Sequence, residues 1–96
     1  MTLSVTAKMK AKKEKIGELR NLLTELVKLT RSETGCLQYD FHESLDDPSL
    51  FLSHEKWKDD AAHEKHLASV HVQKALAATP ELLVGGLELY RMKKLN

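Results

Sequence analysis

Apolar and polar residues alternate at the start of the chain: Leu3, Val5, Ala7 and Met9 fall on one side of an extended segment, with Thr2, Ser4, Thr6 and Lys8 on the other. This pattern predicts a first strand. Ile16, Leu19, Leu22, Leu23, Leu26 and Leu29 then recur at spacings of three and four, opposite Lys15, Glu18, Glu25, Lys28 and Arg31, which predicts a long amphipathic helix. Gly35 suits the stop of that helix, because glycine tolerates the left-handed conformation found there. From Cys36 the period returns to two, with Leu37, Tyr39 and Phe41 on one face and Gln38, Asp40 and His42 on the other. The turn-forming SLDDPS at 44–49 leads into LFLSHEKW, a third strand that ends near Trp57 and pairs with the second as a hairpin. Asp59 or Asp60 caps a second helix carrying Ala61, Ala62 and Leu67. Ser69 interrupts or re-caps that helix, and Pro80 stops the following helical piece of Val72, Ala75 and Leu76. Gly85-Gly86 loosens the chain before a last strand, LELYRMKKL.

The order β-α-β-β-α-β belongs to the α+β class. It predicts a ferredoxin-like unit in which a four-stranded antiparallel sheet carries its helices on one face, as a single domain over residues 1–96. One layer of helices covers one face of a sheet. The third strand is nevertheless apolar on both, with Leu50 and Leu52 against Phe51 and Trp57, and the fourth sets Leu87 and Leu89 against Tyr90 and Met92. A second copy of the chain is the simplest cover for the remaining face, so a homodimer is expected.

Composition narrows the partners. With 30% charged residues of both signs and a net charge of +1, the chain has no basic footprint for nucleic acid. No run approaches the ~20 apolar residues of a membrane span. A lone cysteine, Cys36, and the absence of a secretory leader pattern set the expectation of a cytoplasmic protein.

The chemistry concentrates in EKWKDDAAHEKHLASVH, residues 55–71, which holds three of the five histidines and the only tryptophan. Imidazole suits proton transfer near neutral pH, and an indole can wall a cavity while donating one hydrogen bond. Zinc or non-haem iron wants three or four ligands in fixed geometry, and His63 and His66 alone form a weak H-x-x-H signal; no metal is expected. Glu55 either orients a histidine or, the favoured reading, is a strand-end carboxylate paired with a lysine at the dimer surface, although it shares a strand face with Ser53 and Trp57.

Four segments in this order, ETGCLQY at 33–39, DDP at 46–48, EKW at 55–57 and HLASVH at 66–71, resemble the antibiotic-biosynthesis monooxygenase domain, in particular its quinol-monooxygenase-like members. The resemblance implies a homodimeric α+β barrel with a pocket in each subunit between sheet and helices. It further implies oxygenation of a small aromatic quinol or phenol by molecular oxygen without a cofactor. Two alternatives remain open, an isomerase or tautomerase of a small dicarbonyl compound and a non-catalytic small-molecule binding protein. His66 matches the histidine of the family's H-x-x-S-x-H stretch and is the leading acid or base, with His63 one helical step away and Trp57 beside them as catalytic candidates. Ser53, Trp57, Tyr39 and His71 are the substrate-binding candidates. Relatives that degrade haem carry asparagine on the first strand, where this chain has Ser4 and Thr6, so haem is disfavoured.

Overall fold

Every second residue of Leu3–Lys10 turns inward, and Val5, Ala7 and Met9 are buried there as the central strand β1. The structure, a computed structural model, describes residues 2–96. A 3-10 turn at Lys13–Lys15 leads into α1 (Ile16–Arg31), followed by β2 (Cys36–Glu43), β3 (Leu50–Trp57), α2 (Asp60–Leu67), α3 (Val70–Leu82) and β4 (Glu88–Met92). The strands lie in the order β2-β3-β1-β4 and all pairs are antiparallel. This is the predicted ferredoxin-like α+β architecture, with three helices where the sequence suggested a second helix interrupted at Ser69.

Side-chain direction explains the layering. Phe51, Ser53, Glu55 and Trp57 of β3 alternate inward and meet Leu19, Leu23 and Leu26 of α1 and Val72 and Ala75 of α3 in one core. Burying each large apolar side chain of this set is worth about 1.5–3 kcal/mol. The outer sheet face is mixed: Leu50 and Leu52 are half-buried, Tyr90 and Met92 exposed, and Lys8, His54 and Lys56 stand among them. The β1–β3 ladder skips Thr6 and Ala7. Pairing runs from Leu3↔Trp57 to Val5↔Glu55 and resumes at Lys8↔Leu52, and across the gap the Ala7 amide donates to Ser53 Oγ at 2.7 Å.

Four details differ from the sequence pattern. Leu37 leaves the face of Tyr39 because a β-bulge lies between Cys36 and Gln38; it is 58% exposed. Gly35 is not the helix stop, since α1 ends at Arg31 and Gly35 sits in the turn into β2 with φ +87°. Its need for glycine is twofold, because an added Cβ would lie 2.6 Å from the Ala62 Cβ. Pro80 does not stop α3, which continues to Leu82. Proline removes the amide that would bond the Leu76 carbonyl, and the Thr79 hydroxyl donates to that oxygen instead at 2.7 Å. The last strand is also shorter than expected, ending at Met92.

Candidate active site

Two helix caps set the positions of the histidines. Asp59 accepts the Ala62 amide at 2.8 Å and starts α2, so that His63 and His66, one turn apart, both face the sheet. Ser69 then closes α2 and opens α3: its hydroxyl donates to the His66 carbonyl at 2.6 Å and accepts the Val72 amide. That joint swings His71, in the first turn of α3, back beside His66.

Between sheet and helices lies a cavity of about 170 Å³, walled chiefly by aliphatic side chains such as Met9, Leu23, Leu26 and Ala75. Its polar lining comes from Tyr39, Glu55, His63, His66 and Thr79. A larger groove of about 530 Å³ between α1 and β2 is an open surface feature whose charged groups are already matched, Arg20 with Glu43 and Arg31 with Asp40. The buried chemistry is in the smaller space.

His66 is buried and held from behind. Its Nδ1 lies 2.8 Å from Glu33 Oε2, and His71 Nε2 approaches the same oxygen at 2.6 Å. A carboxylate offers only lone pairs, so each facing ring nitrogen carries the hydrogen. Neutral His66 is thereby fixed as the tautomer with a free lone pair on Nε2. Around it stand Trp57, with ring centroids 4.5 Å apart, and Tyr39 at 5.2 Å.

Glu55 is a second buried ionisable group at the cavity. Cross-strand from Tyr39, it accepts the Ser53 hydroxyl at 2.6 Å and the Trp57 indole N–H at 3.0 Å. Burial raises its carboxyl above the ordinary range, partly opposed by those two donors. Burial likewise pushes the His63 imidazole down to about 4, with the His66 charge acting in the same direction, and the buried His63 Nε2 has no hydrogen-bond partner among the described residues. Burial, reinforced by Glu55, also keeps the Tyr39 phenol protonated. The Cys36 thiol is raised, again chiefly by burial, which disfavours the reactive thiolate.

Tyr39, His63 and His66 thus line the cavity. Trp57 and Ser53 do not; both are fully buried behind Glu55 and reach the cavity only through the carboxylate they hold. His71 stands behind His66, again through a carboxylate. Glu55 is buried, which corrects the expectation of a lysine partner at the surface; the alternation of residues 51, 53, 55 and 57 carried the signal for it. Glu33 opens the ETGCLQY segment but received no role from the sequence, because it lies 33 and 38 positions from its two histidine partners. His42 and His54 are on the exposed outer face, their Nδ1 atoms 2.9 Å apart, and take no part in the cavity.

Residues 2–78 match the profile of a family described as antibiotic biosynthesis monooxygenase. The chain is 38% identical over 85 residues to YcnE of Bacillus subtilis, covering 88% of this chain and 90% of that protein, which carries a provisional monooxygenase name. A crystal structure from Pseudomonas aeruginosa superposes with a TM-score of 0.92 at 33% identity, over 99% of this chain and 95% of that one. A crystal structure titled as an antibiotic biosynthesis monooxygenase gives 0.92 at 31%, over 98% and 99%.

Proposed function

The chain belongs to the antibiotic biosynthesis monooxygenase family, and on that premise we propose that it oxygenates a small, single-ring quinol or phenol with molecular oxygen, without a cofactor. The observation that carries this reading is the Glu33–His66 pair at the wall of an apolar cavity of about 170 Å³. A dry cavity of about 150 Å³ holds benzene, so the space suits one ring with short substituents.

The requirements of such a reaction match the residues. Oxygen accepts electrons one at a time, and a phenol becomes a donor only as its anion. His66 Nε2 removes the phenolic proton, Glu33 stabilises the imidazolium that forms, and Glu55, whose proton affinity burial raises, is placed to donate a hydrogen bond to a ring oxygen when it carries its proton. The anion gives one electron to oxygen, and recombination forms a carbon hydroperoxide. Loss of water leaves a new carbonyl, so that one oxygen atom enters the ring and the other leaves as water. For a simple quinol the sum is quinol plus O₂ to hydroxyquinone plus water.

The test is oxygen uptake by metal-stripped protein on a panel of quinols. His66→Ala should lower kcat by about 10²–10⁴-fold, the usual contribution of a positioned acid or base. Uptake at no more than the spontaneous rate, or full activity in His66→Ala, would overturn the reading. One observation favours a second reading: the His63 imidazole, held neutral by burial, and the Glu55 carboxyl with raised proton affinity line one cavity, a pairing that also serves tautomerisation. That reaction would run at full rate without oxygen.

The proposal includes a homodimer formed through the outer sheet face. Leu50, Leu52, Tyr90 and Met92 on that face support it, since closed two-fold pairs dominate among soluble oligomers.

A further inference from the structure

We infer that Glu33, His66 and His71 form a binding site for one late divalent transition ion such as Zn²⁺, and that its occupancy silences His66 as a base. Among the described residues these three offer one carboxylate oxygen and two imidazole nitrogens within 4.8 Å of one another. They come from three separate places, the turn after α1, the end of α2 and the start of α3, so the set is defined by the fold and not by local spacing. It shares only His66 with the H-x-x-H pair seen in the sequence, adding Glu33 and His71 and leaving His63 out.

Geometry and donor chemistry agree. A tetrahedral zinc with ligands at about 2.0–2.2 Å spaces them roughly 3.3–3.5 Å apart. The two contacts of Glu33 are 2.8 and 2.6 Å and all three ligand atoms lie within 4.8 Å of one another, so shifts on the order of 1 Å bring the set to tetrahedral spacing. Glu33 and His71 can do so, because their side chains remain 16% and 20% exposed, which also gives the ion a way in and a position for water. Two nitrogens and one oxygen favour zinc, copper or nickel over magnesium or calcium.

The functional consequence follows from the ring. An ion on Nδ1 of a neutral imidazole leaves the one remaining hydrogen on Nε2, the nitrogen required as the base. Binding thus replaces a lone pair by an N–H without any change in the cavity wall. This consequence rests on the proposed function; the binding does not.

Titration of the whole protein with Zn²⁺ by calorimetry, and with Co²⁺ by its visible tetrahedral absorption, tests the site. The expected result is one ion per chain. Loss of an outer partner alone costs 10–100-fold in affinity, so removal of a ligand should cost at least about 100-fold in His71→Asn and in the near-isosteric Glu33→Gln. Binding should survive His42→Ala, which removes the exposed histidine pair, and His63→Asn. Absence of stoichiometric binding by the wild-type chain, or binding unchanged in Glu33→Gln and His71→Asn, would overturn the inference. If Zn²⁺ binds but the metal-stripped protein turns over no quinol, the site stands and the proposed function falls; if the metal-stripped protein turns over a quinol and saturating Zn²⁺ leaves that rate unchanged, the silencing falls.

Discussion

At the residue scale the cavity holds two groups whose protonation opposes one another in its effect on stability. His63 takes up a proton in the fold only near pH 4, whereas in an unfolded chain it does so near 6.5. The unfolded state therefore holds more protons across that window, and stability falls as pH drops from about 6.5 to about 4. His63→Leu should flatten this part of the melting-temperature profile, measured by circular dichroism against wild type. Glu55 has the reverse sign. Its raised folded value means that the native chain keeps a proton that the unfolded chain has lost, and that contribution disappears as pH rises through the folded value. Glu55→Gln keeps an acceptor for the Trp57 indole and cannot ionise, so its melting temperature should gain on wild type as pH rises from the ordinary carboxylate range toward neutrality. A constant difference across that range would show that Glu55 does not change its charge there.

At the scale of elements, tertiary contacts outweigh local signals at a few positions. Gly35→Ala should lose about 2–4 kcal/mol in chemical denaturation, from a left-handed backbone and from the overlap with Ala62. Thr79→Val should lose about 0.5–1.5 kcal/mol, because the Leu76 carbonyl beneath Pro80 then has no donor. The features legible in the sequence were those with a local cause: the alternation of β1 and β3, the period of α1, and the caps at Asp59 and Ser69. The bulge at Leu37 and the passage of α3 through Pro80 were not, since neither changes the period of its segment. The site divides in the same way. His63 and His66 share a helix and announce themselves at a spacing of three, while Glu33 meets His66 and His71 only after the chain has folded. Glu55 was readable from strand parity, and the habit of placing carboxylates at surfaces hid it.

For the whole molecule, three helices cover one sheet face and leave Tyr90 and Met92 in the open, 46% and 44% exposed. The proposed homodimer predicts a mass by light scattering of twice that of the chain, and Leu52→Lys, on the outer face of β3, should shift the population to single chains without unfolding them. A wild-type protein that stays monomeric at high concentration would refute this assembly. The cavity lies on the opposite side of the sheet from that surface, so Leu52→Lys alters turnover only through the sheet itself.

One place ties the sheet to the cavity. Where the β1–β3 ladder skips Thr6 and Ala7, the strands are tied by the Ser53 hydroxyl, which passes its own hydrogen to Glu55. The sheet is stitched at that point by a thread whose other end is knotted to the reactive carboxylate. Deuterium uptake at the Ala7 amide should consequently report what occupies the cavity, making one backbone position a built-in gauge for ligand screening before any product has been identified.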